Sequence, residues 1–209
     1  MINLMSVARL CIVLALAFCI PIDALADSPP PSPLPPASPA MLQQLGPELN
    51  FEGYGIRIPA DYVPLEDPRS VTMKSQLKIN RYSYTGGPHG DNVWSRYTVA
   101  VATRMTGSWT YTDLEAFVTG FVQGGSKNLA KMVLTKPEYG SLNGMKFECI
   151  HYGGGLMQGN KPIILHGFAY AFISGSKLVV IAGEDGDPYS SDSLPIMQAA
   201  TSTLRRVPR

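Results

Sequence analysis

Long segments of alternating side chains constrain the fold of this chain more than any other feature of its sequence. Successive side chains of a β-strand point to opposite faces, so a period of two residues is the pattern of a strand. In residues 93–104, one face of the predicted strand carries Tyr97, Val99 and Val101. The opposite face carries Thr98, Ala100 and Ala102. Over residues 145–152 one face carries Met145, Phe147, Cys149 and His151. The sequence therefore predicts long strands as the main elements of the fold.

Shorter strands and their connections follow from the same alternation and from the positions of glycine and proline. Strands are predicted over residues 54–58, 71–74, 77–84, 131–135, 163–173 and 178–182. Loops are predicted where glycine, proline and polar residues concentrate, over residues 86–92, 153–162 and 185–188. Residues 174–176 are predicted to form the tight turn of a hairpin.

The first predicted helix has a start signal and a stop signal. Thr112 and Glu115 have the spacing of a capping box, in which each side chain bonds the backbone amide of the other residue. Apolar residues then recur at helical spacing, and the pattern ends at the glycines 124–125, as at a helix C-cap.

The second predicted helix lies near the C-terminus. Ser193 is its expected N-cap, and Pro195 lies in its first turn. Proline is tolerated there because the backbone amides of the first turn have no acceptor within the helix, so its missing N–H costs no hydrogen bond. Two arginines at residues 205–206 suit the negative end of its dipole. The order of strands and helices predicts an α+β fold: an antiparallel β-sheet with helices packed on it.

The first 26 residues have the layout of a cleavable secretory signal peptide. Arg9 precedes an unbroken apolar run over residues 10–20, and the small-x-small site at residues 24–26 follows. The run is shorter than the ~20 residues of a membrane-spanning helix. We expect an exported protein, periplasmic or extracellular, whose mature chain begins at Asp27. Two alternatives stay open: an uncleaved anchor, and a lipid attached to Cys19.

Residues 27–46 are predicted to be a proline-rich linker. Proline fixes φ and lacks a backbone donor, so residues 27–40 are expected to join neither a helix nor a sheet. The segment would then be dispensable for folding. A docking site for a proline-reading domain is the alternative. Residues 47–209 are left as a single domain.

Charge and cysteine content restrict the partners of that domain. Lysine and arginine total 17 and aspartate and glutamate total 16, which argues against nucleic acid as the main partner. Beyond the predicted signal, Cys149 stands alone, so no internal disulfide is expected. No later apolar stretch has the length of a transmembrane span, so none is expected in the mature chain.

Three histidines and one cysteine are the candidates for chemistry. His89 lies in a glycine-rich segment, and His151 and His166 become cross-strand neighbours if residues 153–162 close a hairpin. A metal site there needs a third ligand, such as Glu148 or Asp185. Cys149 with His151 resembles a nucleophile with its base. We interpret the histidines as ordinary sheet residues and Cys149 as a buried structural thiol. No catalytic, cofactor-binding or metal residue is assigned, and no cofactor is expected.

Over residues 47–207 this layout resembles the PsbP-like superfamily, a group that includes photosystem II extrinsic subunits and many exported bacterial proteins. The resemblance rests on residues 51–62, 144–148, 168–172, 178–181 and 204–206. It implies an α/β/α sandwich that binds or assembles with a partner, and it transfers no functional residue.

These observations predict an exported, non-catalytic binding or assembly protein of the cell envelope. Its partner would be another envelope protein or a small ligand. The alternative is a small envelope hydrolase or metal-dependent enzyme that uses His151, His166 or Cys149.

Overall fold

A computed structural model describes residues 32–34, 36–66, 68–73, 77–89, 93–125, 129–158 and 161–208. The predicted signal peptide and its cleavage site lie outside these residues. The described strands are β1 (Ser32–Pro33), β2 (Leu45–Phe51), β3 (Tyr54–Pro59), β4 (Val63–Pro64), β5 (Arg69–Met73), β6 (Leu77–His89), β7 (Val93–Arg104), β8 (Ala130–Leu134), β9 (Glu138–Leu142), β10 (Met145–Gln158), β11 (Lys161–Ser174), β12 (Lys177–Gly186) and β13 (Arg205–Arg206). The described helices are α1 (Pro39–Gln43), α2 (Tyr111–Gly125) and α3 (Ser190–Ser202).

A large sheet forms the centre of the molecule. Its strand order is β1-β9-β10-β11-β12-β7-β6-β4, with β5 also pairing β6 and β8 also pairing β10. The pairs are antiparallel except for β1 with β9. A second sheet has the order β13-β3-β2. The predicted α+β class, an antiparallel sheet with helices packed on it, is confirmed.

Strand alternation divides the apolar side chains between two cores. One core contains Val99 and Val101 of β7, together with Met197 of α3 and Ile56 of the small sheet. The other contains Ala100 and Ala102 together with the α2 residues Leu114, Val118 and Val122. Because neighbouring residues of one strand enter different cores, the large sheet is covered on both faces.

The predicted loop at residues 153–162 is largely strand. β10 continues to Gln158 and β11 begins at Lys161, and residues 153–155 pair with residues 164–166. The loop prediction is wrong here because glycine lowers strand propensity but leaves the backbone groups free to pair. The predicted loop at residues 86–92 is likewise shortened by β6, which continues to His89, and the one at residues 185–188 is shortened by β12, which continues to Gly186.

Both main helices begin earlier than predicted. Asp113 accepts hydrogen bonds from the backbone and hydroxyl of Thr110, and the Asp113 amide donates to the Thr110 hydroxyl. The start signal of α2 is therefore this pair, not Thr112 with Glu115. α3 begins at Ser190, so Pro195 lies inside the helix. Arg205 and Arg206 do not lie at the end of α3; they form β13, which pairs with β3. The pairing with β3 outweighs the favourable position of the two positive charges at a helix C-terminus.

The described part of the proline-rich segment, residues 32–34 and 36–46, belongs to the folded unit. β1 pairs with β9, and Leu34 donates its amide to the Ser141 carbonyl at 3.2 Å. Pro39 begins α1, where no backbone donor is needed, and Ser38 caps that helix. The prediction that residues 27–40 join neither helix nor sheet is wrong at these positions. The fold therefore begins before the predicted boundary at residue 47.

None of the helices in the described ranges combines the length and the apolar character that a membrane crossing requires.

Candidate functional site

Cys149 and His151 lie on the same face of β10, as the alternation predicts. The Cys149 Sγ and the His151 Nε2 are 3.7 Å apart. Cys149 is only 1% exposed, and burial raises the pKa of its thiol to about 12. A nucleophilic cysteine must be a thiolate near neutral pH, so this environment opposes nucleophilic use. The prediction of a buried thiol is confirmed.

His151 and His166 share a sheet face but are offset along it. His151 lies opposite Phe168, and His166 lies opposite Gly153, so the two histidines are diagonal neighbours. The His166 Nε2 lies 3.2 Å from a carboxylate oxygen of Asp187. The hairpin therefore brings the histidines to one surface without pairing them directly.

The two residues considered as a third metal ligand do not complete a site with these histidines. Glu148 lies on the opposite face of β10, because it is adjacent to Cys149 and adjacent residues of a strand point to opposite faces. Asp185 lies across from His166, but it is buried and accepts the Gly186 amide at 2.8 Å. Across the described ranges, no three or more His, Cys, Asp or Glu side chains are arranged to hold a metal ion. The side chain of His89 lies outside what is described.

Glu148 has an environment that the sequence analysis missed. Its side chain is fully buried beneath α2, and both carboxylate oxygens lack a hydrogen-bond partner among the described residues. Burial, and then the nearby charge of Glu115, raises the pKa of Glu148 to about 7. An acidic residue on the strand face that also carries Ile150 and Tyr152 was the available signal.

An exposed apolar surface surrounds the glycines of β10. Val133, Met157 and Ile164 are 68%, 63% and 56% exposed. Register places Val133 opposite Gly153 and Ile164 opposite Gly155, and Met157 follows two residues farther along the same strand face. We call Val133, Met157 and Ile164, with glycines 153–155 between them, the glycine face.

Two hollows adjoin this surface, and His151 lines both. One, of about 510 Å³, lies over the glycines and is bordered by Val133, Ile164 and His166. The other, of about 640 Å³, lies between β10, α3 and the proline-rich segment, with Leu34, Met41 and Tyr170 in its wall. The result is a long and shallow surface with an apolar lining. Such surfaces are typical of contacts with another macromolecule.

No protein-family model and no curated protein matches this chain. Its structure is similar to the solution structure of cyanobacterial PsbP (CyanoP) from Synechocystis sp. PCC 6803, with a TM-score of 0.52 and 14% identity over 83% of this chain and 98% of that one. At this identity the likeness shows the fold, and the fold-level resemblance to PsbP-like proteins is confirmed.

Two further solved structures are similar at lower scores. One is LpqN, described as involved in cell envelope biogenesis of Mycobacterium tuberculosis, with a TM-score of 0.44 and 13% identity over 83% of this chain and 99% of that one. The other is a Pseudomonas aeruginosa protein of unknown function, described as a putative regulator, with a TM-score of 0.44 and 13% identity over 79% of this chain and 99% of that one.

Proposed function

We propose that this chain is an exported, non-catalytic binding or assembly protein of the cell envelope, and that it docks another protein through the glycine face. The observation that carries the proposal is the joint exposure of Val133, Met157 and Ile164 around a strand segment without side chains. Contiguous apolar surface is costly to leave in water, and burying it against a partner is favourable.

The shape of the surface favours a protein over a small molecule. The two hollows that meet at His151 are open and extend from β8 to the proline-rich segment. A small-molecule site usually encloses most of its ligand, whereas a protein interface is broad with an apolar centre. The glycines contribute to this role because they let a partner approach the backbone of β10 closely.

Export rests on the N-terminal sequence. An apolar run over residues 10–20, followed by the small-x-small site at residues 24–26, is the layout of a signal peptide. We expect the mature chain to begin at Asp27 and to carry a single PsbP-like domain. Intact-mass measurement of the exported protein tests this start, and a retained N-terminus or a lipid on Cys19 would contradict it.

The chemistry of the nearest polar residues supports a non-catalytic role. The Cys149 thiol is held protonated by burial, and His166 is engaged by Asp187. The hydrolase or metal-enzyme alternative would need one of these groups, or His151, to be activated toward a substrate.

Site-specific photocrosslinking tests the docking surface. A photoreactive amino acid is introduced at Ile164 or at Val71, two side chains that are each 56% exposed. The full chain is expressed in its native host, and crosslinked species are identified by mass spectrometry. We expect a discrete protein adduct from position 164 and none from position 71, which lies on the distant strand β5.

Matched charge substitutions decide the interpretation of that adduct. For this test the photoreactive amino acid is placed at Val133, a third exposed position. Ile164→Asp should abolish crosslinking from position 133, whereas Val71→Asp should not, and both variants should unfold at the wild-type temperature. Equal adducts from positions 164 and 71, or an adduct that survives Ile164→Asp, would refute the glycine face as the docking surface.

A further inference from the structure

A separate pocket lies on the opposite face of the large sheet, beside the C-terminal half of α2. Its volume is about 270 Å³, and three neighbouring strands each contribute an arginine to its lining: Arg69, Arg81 and Arg96. Arg69 and Arg81 are directly opposite each other in the β5–β6 ladder. Like charges in this position repel, so the pair destabilises the sheet unless anions lie between them.

Two glutamates partly neutralise the arginines. Glu66 forms ion pairs with both Arg69 and Arg81, the latter at 2.7 Å. Glu184 lies 3.2 Å from Arg96 and also accepts a hydrogen bond from the Tyr152 hydroxyl. The Arg81 hydrogen bond holds the pKa of Glu66 below its usual range, so this carboxylate is ionised at neutral pH. Among these lining residues one positive charge therefore remains in excess.

The guanidinium groups retain capacity for a further anion. Each guanidinium has five N–H donors, whereas the two carboxylate oxygens of Glu66 are shared between Arg69 and Arg81. The arginine side chains are between 43% and 65% exposed, so a ligand can reach them from solvent. A planar carboxylate matches the fork of a guanidinium and can accept two hydrogen bonds from it.

The rest of the pocket is apolar at its wall and polar at its floor. Phe121, Val122 and Ala182 form part of the wall beside α2. The buried hydroxyls of Ser83 and Thr98, 3.4 Å apart, lie at neighbouring positions of β6 and β7. The pocket therefore combines cationic, hydroxyl and apolar surfaces within a small volume.

We propose that this pocket binds a small organic carboxylate that carries an aromatic or branched apolar group. The carboxylate bridges the arginines of β5 and β6, and the apolar group lies against Phe121 and Ala182. This binding site lies on the sheet face opposite the glycine face, so the two sites are tested independently.

An NMR titration of the mature protein tests the site with phenylacetate as the probe. We expect saturable shifts of the Ser83 and Thr98 amides below about 10 mM phenylacetate, an affinity ordinary for a ligand of this size. The neutral analogue 2-phenylethanol tests the charge, and inorganic phosphate tests the apolar group. Both should bind at least about tenfold more weakly than phenylacetate, because 2-phenylethanol lacks the carboxylate and phosphate lacks the apolar group.

Arginine variants provide the second measurement. Arg81→Gln should weaken phenylacetate binding at least about tenfold, because it removes a charge-assisted contact. Arg206→Gln, at an exposed arginine outside the pocket, is the matched control and should bind as wild type. Absence of shifts, equal binding of phosphate and phenylacetate, or equal weakening by both variants would overturn the proposal. Thermal unfolding verifies that each variant is folded.

Discussion

At the residue scale, Cys149 shows how burial determines the chemistry of a side chain. A cysteine next to a histidine resembles a catalytic pair, but the protein environment, by raising the thiol pKa, removes the thiolate that such a pair requires. The neighbouring hydroxyl of Tyr170 contacts the same sulfur and is itself largely buried. Cys149 is therefore better described as a packed part of the core, whereas His151 lies at the edge of that core and lines the two hollows.

Thiol labelling at pH 8 tests this description. We expect the folded protein to react with a thiol reagent at least about 100-fold more slowly than the urea-unfolded protein, since both burial and the raised pKa suppress the thiolate. His151→Ala should leave the folded rate unchanged, because His151 does not activate the sulfur. Equal rates in the folded and unfolded protein would revive the enzyme alternative.

Glu148 makes a second prediction, about pH dependence. Its pKa is about 7 in the folded protein, against an ordinary value of 4.5, so folding favours its protonated form. The folded protein is therefore not penalised below pH 4.5, and it loses stability as pH rises from there to about 7. Glu148→Gln removes this loss and should be more stable than wild type at pH 8 by about 1–3 kcal/mol.

Urea unfolding at pH 4.5 and pH 8 measures the difference. The free energies of unfolding of Glu148→Gln and wild type should converge at the lower pH and separate at the higher one. Glu115→Gln is a useful control, because it removes only the smaller cause of the pKa shift and should give a smaller gain. A gain that is independent of pH would show that folding does not raise the pKa of Glu148.

At the element scale, the start of α2 is determined by contacts on both sides of the helix. Asp113 caps the helix through Thr110 and also accepts two hydrogen bonds from the Arg104 guanidinium at the end of β7. These contacts hold the pKa of the Asp113 carboxyl well below its usual range. The helix therefore begins where a local cap and a tertiary ion pair coincide.

Two threonine substitutions separate the observed cap from the predicted one. Thr110→Ala should lower the free energy of unfolding by about 1 kcal/mol, the usual cost of losing an N-cap side chain. Thr112→Ala, two residues farther along, should change it by less than about 0.5 kcal/mol, because Thr112 is exposed. Denaturant unfolding compares the two, and a larger loss for Thr112→Ala would restore the capping box predicted from sequence.

At the scale of the whole molecule, the N-terminal segment closes one side of the first core. Leu45 is 5% exposed within that core, and Leu34 and Leu42 pack against it. Arg57 of β3 also donates hydrogen bonds to the carbonyls of Leu45 and Gly46. These contacts assign a structural role to residues that the sequence analysis regarded as a spacer.

Truncation measures that role. A chain that begins at residue 46 should unfold more than about 5 °C below the chain that begins at Asp27, because it loses three leucines from the core. Leu42→Ala in the longer chain should show part of the decrease. An unchanged unfolding temperature for the truncated chain would confirm the original expectation of a dispensable linker.

The sequence by itself determined the long strands, the division of their side chains between two faces, and the burial of Cys149. A period of two residues is a local property, and it persists wherever a strand is buried on both faces. The same reasoning placed α2 and α3 approximately, although their first residues were wrong. At the site, the sequence alone predicted that His151 and His166 would be cross-strand neighbours, but only if residues 153–162 closed a hairpin.

Only the tertiary structure determined the pairing of segments that have no clear strand pattern in the sequence. Glycines 153–155 are in a strand because β11 and β8 supply their hydrogen bonds, and Ser32–Pro33 pairs because β9 presents an open edge. The arginine pocket likewise joins residues from separate strands, and no local pattern connects Arg69, Arg81 and Arg96. Local periodicity reports which face a side chain occupies, whereas hydrogen-bond partners and charge neighbours distant in sequence are determined only when the strands assemble.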